Sequence, residues 1–446
     1  MPIASPLKGL AGWITYKLWV NYWSLPVLAA AVAVPFALLV LALDRWALTA
    51  WILANDLSPV STADTAKDFA GVASGVDAAF ISLYFSITLI VLSLAAGNLG
   101  VRLIDRWLTK RLVRVSLAGL AFSLIVSLVA MLTIDAEAPL SDVPLGLLAI
   151  VMALQVVNVA MLSVSLHDLG RTMFIDSSIE ALFTAAAQRE IDLQPGEPIE
   201  GEWSHVLRAE RDGYVEGVDV DKIARRIGET DCRICILAAP GQHIMRGQPL
   251  IKAEARIESM EGLHRLIPLG RYRSDSQGVV FRVRLLVEIA ARALSPAVND
   301  FYTALACADR LTAIMAQQAG TWIDPGKAVM SARYPGIELP GRDFAGLFED
   351  PMNAFRQAAA QYPSVSIRMI DNYERLAERL IEEGTSPGLL EYLHILASDL
   401  CHHAQSVSGF EGDRHDIGAA LAAFERTLRQ HEPELALDGE AQQDLE

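Results

Sequence analysis

The sequence predicts an α-helical membrane domain of four transmembrane helices, followed by a cytoplasmic α+β region. That region holds a small β-barrel or barrel-sandwich-like unit and a C-terminal helical domain. Three observations carry the prediction. Ser24 to Leu43, Ala78 to Leu99, Val115 to Ile134 and Pro144 to Leu166 are long apolar runs without Asp, Glu, Lys or Arg. No run of that length recurs after His167. Short strand-like segments then give way, near Val280, to helical periodicity that lasts almost to the end of the chain. About 20 apolar residues rising 1.5 Å each match the roughly 30 Å hydrocarbon core of a bilayer, so each run is long enough to cross it.

Composition agrees with this division. Hydrophobic residues make up 52% of the 446 and charged residues 20%, with a mean hydropathy of +0.31. That is too apolar for an ordinary soluble domain and too charged for a chain wholly in lipid. The formal net charge of -16 would repel a phosphate polyanion, which excludes a nucleic-acid partner. Cys232, Cys235, Cys307 and Cys401 show no disulfide framework, and a reducing compartment is expected.

Loop charges give an orientation. Lys8 and Lys17 precede the first run, and Arg102, Arg106, Lys110, Arg111 and Arg114 crowd the connection between the second and third. Asp44, Asp56, Asp64, Asp68 and Asp77 mark the first connection, and Asp135, Glu137 and Asp142 the third. Basic residues collect on the cytoplasmic side, so a multi-pass protein of the bacterial inner membrane with both termini in the cytoplasm is expected. Residues 1–23, with Leu7, Leu10, Ile14 and Leu18 at helical spacing beside Trp13 and Trp19, read as a helix lying on the membrane surface. The first run is too long for the apolar core of a cleaved signal peptide.

Within the membrane domain, 24–166, the second run carries Ala79, Ser82, Ser86, Ser93 and Gly97 at three-, four- and seven-residue steps. Ser116, Gly119, Ser123 and Ser127 repeat the pattern in the third run, and the fourth adds Gln155 and Asn158 one turn apart. Ser82, Ser86, Ser93, Gln155 and Asn158 are therefore candidates either to line a pore or to pack helices together. Asp77 and His167 stand at the borders of the runs, which disfavours proton-driven transport. Pro35 falls midway along the first run, where it removes an amide donor.

Residues 167–196 continue the helical pattern as a stalk, ended by Pro195-Gly196. In the β-rich region, 197–279, strands are expected at 205–207, 213–215, 232–237 and 249–253, around a helical insert at 218–227. Pro240 to Leu250 has the look of a hairpin from a barrel-sandwich of the biotinyl and lipoyl carriers, although no lysine stands at its tip. The helical region, 280–431, is punctuated by Gly320, Pro335, Pro340, Pro363 and Pro387. Residues 432–446 are acidic, poor in apolar groups, and expected to be disordered.

The most unusual local sequence is Leu294-Ser295-Pro296-Ala297-Val298-Asn299-Asp300-Phe301-Tyr302-Thr303. Pro296 ends the preceding helix, and Asn299 or Asp300 can cap the next by accepting its free amides. With Arg292 one turn earlier, Ser295, Asn299, Asp300 and Thr303 could instead hold a small anion at that helix start. This stretch, Ile289 to Ala293 before it, and Phe85-Ser86-Ile87-Thr88-Leu89 with the following basic loop resemble a bacterial family of predicted membrane proteins, domain of unknown function 2254. The spans, the Gly213-Tyr214-Val215 strand, the Pro-Gly turn and the Ser-Pro-x-x-Asn-Asp turn follow that family's order. The family has proline where Phe301 stands, and glutamines near Ser93 and Asn98. The resemblance implies architecture without chemistry.

No metal or cofactor is expected. Cys232 and Cys235 have zinc spacing but lie in a strand-like stretch with no second pair, and Cys401-His402-His403 spreads over different helix faces. Nor does the chain carry a phosphate-binding glycine loop, a nucleophile elbow or a zinc-protease helix, so no enzyme activity is expected. The leading expectation is a homo-oligomeric, channel-like protein in contact with membrane lipids, its second span lining a path controlled by the cytoplasmic region. The alternative is a membrane-tethered sensor or scaffold that binds a cytoplasmic partner without transport.

Overall fold

A computed structural model describes residues 23–99, 111–172, 175–186, 193–199, 201–227, 233–254, 260–273, 278–321, 327–340, 344–384 and 387–443. The surface helix expected within 1–23 and most of the basic loop lie outside these residues. The chain forms two compact units, divided between Phe174 and Ile175.

In the membrane unit, the first span runs as α1 (Ser24–Leu43, with Pro35 inside it), a π-helical turn (Asp44–Leu48) and α2 (Thr49–Ala54). The other three are α3 (Ala63–Leu99), α4 (Arg111–Thr133) and α5 (Leu145–Thr172). All four are long and apolar enough to cross a membrane. α4 is central and packs against α1, α3 and α5. The unit turns large apolar side chains outward, among them Leu28, Leu39, Leu89, Ile90 and Val156, and encloses Asp44, Asp77, Ser116, Ser123, Ser127 and Asn158. A hydrocarbon solvent selects this arrangement, because polar groups there must find partners inside the protein.

Two of the carboxylates expected in the first connection are buried in helices instead. α3 begins about four turns upstream of its apolar run, which carries Asp77 into the span. Asp44 sits in the π-helical turn and is 4% exposed. It accepts the Gly146 and Leu147 amides, both at 2.9 Å, and the Thr49 hydroxyl at 3.2 Å. Those amides open α5, where backbone donors have no partner within the helix and the helix dipole favours an anion.

In the C-terminal unit, α6 (Ile175–Ala186), read above as part of a stalk, packs against α8 (Val279–Ala293) and α9 (Phe301–Gln318). Arg282, 2% exposed, donates to the Ala185 carbonyl at 2.7 Å, and Gln318 to that of Ala186 at 3.3 Å. Two buried side chains thus satisfy the carbonyls that end α6. The strands are β1 (Leu193–Gly196), β2 (His205–Arg208), β3 (Gly213–Val215), β4 (Ile234–Ile236), β5 (His243–Ile244), β6 (Pro249–Ala253) and β7 (Leu269–Gly270), with α7 (Val220–Ile227) after β3. A further hairpin, β8 (Ala328–Ser331) and β9 (Tyr334–Leu339), falls within the region expected to be helical.

These strands build a six-stranded sheet in the order β1-β8-β9-β4-β6-β2 and a three-stranded sheet in the order β5-β3-β7. Among the described residues, only β4 and β9 run parallel. The two sheets share one core, in which Val215, Ile244 and Leu269 meet Ile234, Ile236 and Ile251. No closed barrel is found among the described residues. Positive φ at Gly241 and Gly247 (83° and 85°) turns the chain on either side of β5, so β5 and β6 enter different sheets and do not pair as a hairpin. The remaining helices are α10 (Phe344–Ala359), α11 (Pro363–Glu382), α12 (Pro387–Val407) and α13 (Glu411–Gln443). α13 continues through most of the tail expected to be disordered, where Glu, Leu, Ala and Gln are good helix formers.

Gly146 tests the Asp44 junction. A Cβ there would overlap the Leu48 side chain and lie 2.5 Å from Asp44 Oδ1. Gly146→Ala is expected to destabilise the membrane unit by about 1–3 kcal/mol, the usual range for overpacking. A lowered thermal midpoint of the purified protein in detergent checks it, with Gly75→Ala, whose added carbon meets nothing within 4 Å, as the control.

Candidate functional site

Asp77 lies near the middle of the candidate span Ala63–Leu94 and is 0% exposed. Its Oδ2 accepts from Ser123 Oγ at 2.8 Å, Gln155 Nε2 at 3.1 Å and Ser127 Oγ at 3.3 Å, and its Oδ1 from Asn158 Nδ2 at 2.9 Å. α4 contributes serines four residues apart, and α5 contributes amides three residues apart. Each spacing keeps both side chains on one helical face. Three spans therefore converge on one carboxylate, and all its partners are neutral.

The polar interior extends beyond this layer. Seven residues along each helix, roughly 10.5 Å, Tyr84, Ser116 and Ser165 are buried, and the two serine hydroxyls bond each other. Tyr84 packs in a cluster with Val113, Leu162 and Leu169. Thr88, one turn past Tyr84, is 3% exposed, and its hydroxyl has no partner among the described residues. A file of polar groups thus follows the α3–α4–α5 interior.

Magnitudes bear on why the file exists. Placing a carboxylate at the centre of a membrane helix costs about 2.5–3.5 kcal/mol. An interhelical hydrogen bond in lipid returns about 0.6 kcal/mol on average. Bonds of that strength roughly offset the cost and add little more. Apolar residues at 77 and at its four partner positions together would pack the same helices without that expense, so stability alone does not account for the cluster.

The five membrane candidates from the sequence divide into two sets. Gln155 and Asn158 join Asp77. Ser82, Ser86 and Ser93 are exposed on the outside of the unit, with Ser86 donating to the Ser82 carbonyl at 2.9 Å and Ser93 to that of Leu89 at 2.8 Å. Helical geometry separates them: five, nine and sixteen residues from Asp77 lie about 140–180° around the helix. Sequence reasoning missed Asp77 because it took the apolar run as the whole span. Ala66, Ala70 and Ala73, stepping by three and four residues toward Asp77, already marked a helix interface.

In the C-terminal unit, the turn from Ser295 to Thr303 is closed by its own groups. Asp300 caps α9, accepting the Thr303 amide at 3.1 Å and the Thr303 hydroxyl at 2.6 Å. The Ser295 carbonyl accepts the Val298 and Asn299 amides. Asn299 takes φ 51°, and the Tyr362 hydroxyl reaches the Leu294 carbonyl at 2.7 Å and Asn299 Oδ1 at 3.3 Å. Arg292 belongs to the last turn of α8. The carboxylate of Asp300 therefore occupies the amide that an anion would seek.

The described cysteines are buried thiols. Burial, then the nearby Glu338, pushes Cys235 up to about 11. Burial, then Asp176 and Asp300, raises Cys307. Burial, then Glu425, raises Cys401. Cys232 lies outside the described residues, and no group of three or more metal-ligating His, Cys, Asp or Glu occurs among those described.

Two outcomes follow. Asp300→Ala should speed hydrogen exchange in the first turn of α9 by about 5–30-fold, the equivalent of a lost cap worth 1–2 kcal/mol; mass spectrometry of that peptide reads it. The thiolate attacks the carbon of iodoacetamide and displaces iodide, and a raised pKa lowers the thiolate fraction at any pH below it. At pH 8, Cys235 should alkylate roughly a hundredfold more slowly in the native protein than in denaturant, and Cys307 and Cys401, whose thiols are also raised, should be slowed in the same direction.

The chain spans about half the length of the curated relatives it matches. It is 27% identical over 256 residues to uncharacterized protein Rv1290c of Mycobacterium tuberculosis and to uncharacterized protein Mb1321c of Mycobacterium bovis, covering 52% of this chain and 49% of each relative. No solved structure matches it. Residues 19–375 match the family described as predicted membrane protein (DUF2254), and over that length the chain belongs to this family.

Proposed function

We propose that this is a bacterial inner-membrane permeation protein, in which a small charged species crosses along the buried polar file of α3, α4 and α5. One observation carries the reading: a fully enclosed carboxylate at mid-span, held by side chains from two other spans, whose bonds do little more than offset its burial. Intramembrane ionisable groups in such settings mark ion and proton routes. From Asp77 the file continues in one direction, past Tyr84, Ser116 and Ser165 to Thr88. The basic residues between the second and third spans favour a cytoplasmic C-terminal unit, where that unit would control passage.

A second reading is favoured by the outward position of Ser82, Ser86 and Ser93. Copies of the chain meeting through this face of α3 would put those hydroxyls around a shared axis, as a homo-oligomeric pore. Flux into liposomes separates the two. If the file is the route, Asp77→Asn should cut flux at least tenfold, while Ser86→Leu leaves it within twofold of wild type. Loss in Ser86→Leu with retention in Asp77→Asn supports the shared pore. Wild-type protein that passes neither protons nor alkali cations, with or without a membrane potential, overturns both.

A further inference from the structure

We propose that Asp77, Ser123, Ser127, Gln155 and Asn158 form a binding site for one dehydrated monovalent alkali cation, with sodium as its natural occupant. The inference deepens the permeation reading by naming the species, and rests on it in treating Asp77 as the working group.

Charge comes first. Asp77 brings one carboxylate, and its partners on α4 and α5 are two hydroxyls and two amides, all uncharged. In a site of low dielectric, a lone charge is expensive and a neutral pair is far less so. A monovalent cation neutralises the site. A divalent cation would leave it with an excess positive charge, and such ions usually draw on more than one carboxylate.

Ligand type agrees. The two serine oxygens of α4 already stand 2.8 and 3.3 Å from Asp77 Oδ2 on α3. Primary amides carry an oxygen and a nitrogen of nearly the same size on one carbon. A half-turn of Gln155 and Asn158 therefore replaces each donor with an oxygen in almost the same place. The hydroxyl hydrogens rotate aside at the same time. The result is an all-oxygen shell from three helices, without nitrogen or sulfur, which is the chemistry of hard cations. Without the ion, the same side chains turn their hydrogens inward and satisfy the carboxylate. The carboxylate is thus met in either state, by donors without the ion and by the ion when it is bound, which is what a site that must load and unload requires. Separations of 2.8–3.3 Å around the carboxylate leave little room, which favours sodium over a larger ion.

The experiment is thermal unfolding of the full-length protein in detergent, titrated with sodium chloride against choline chloride at constant ionic strength. Sodium should raise the midpoint in a saturable manner, because a ligand that binds only the folded form stabilises it. Asp77→Asn should abolish the sodium dependence. Ser127→Ala, which removes the longest bond in the set, should fold and raise the half-saturating sodium concentration roughly tenfold. It decides the matter if Asp77→Asn does not fold. Equal midpoints in sodium and choline, sodium dependence that survives Asp77→Asn, or an unchanged half-saturation in Ser127→Ala overturns the inference. Proton flux without sodium stabilisation would remove the sodium site and leave the permeation reading standing. Sodium stabilisation without flux of any ion would do the reverse.

Discussion

The membrane unit depends on one constraint: a carboxylate away from water must be met by donors from the protein itself. Asp44 and Asp77 obey it in different ways. Asp44 is met by backbone amides at the start of α5, so it joins the first and fourth spans end to side. Asp77 is met only by side chains, from α4 and α5, and joins the second span to both. The first arrangement uses donors that a helix start leaves unpaired in any case. The second needs serines and amides placed for it in two other helices. That difference is why Asp44 reads as part of the architecture and Asp77 as the centre of a site.

The C-terminal unit meets the same requirement at its helix ends. Arg282 and Gln318, both buried, close α6, and Asp300 opens α9. α6, α8 and α9 are thus fixed to one another by polar contacts at their termini as well as by apolar packing. Buried thiols at Cys235, Cys307 and Cys401 fill space around this framework and its sheet as small apolar groups do.

Much of the architecture was legible in the sequence. Four apolar runs marked four spans, since hydrocarbon thickness sets helix length. β3 and β6 were found with their observed limits, because turn residues bracket both. Long-range pairing was not legible. β8 and β9 lie between helices, and only their partners, β1 and β4, make them part of a sheet. The turn glycines 241 and 247 read as a hairpin because local sequence does not reveal which sheet each flanking strand joins. At the candidate site, Gln155 and Asn158 were visible as polar groups in an apolar run. Asp77 was hidden by its position one residue outside such a run. Apolarity traces where lipid begins, whereas a helix starts where its backbone can be capped, and these boundaries differ in α3.

The strand order carries a consequence for biosynthesis. β4 acquires its parallel neighbour only from β9, and β1 pairs with β8, so the larger sheet waits for residues up to Leu339. The ribosome releases all four spans well before then. β1 and the outer side of β4 meanwhile remain unpaired, the condition under which strands recruit wrong partners. Pairings this distant along the chain also form slowly. Insertion into the bilayer therefore precedes completion of the sheet, and a chain stopped short of β9 would stay tethered to the membrane with an unprotected strand beside it.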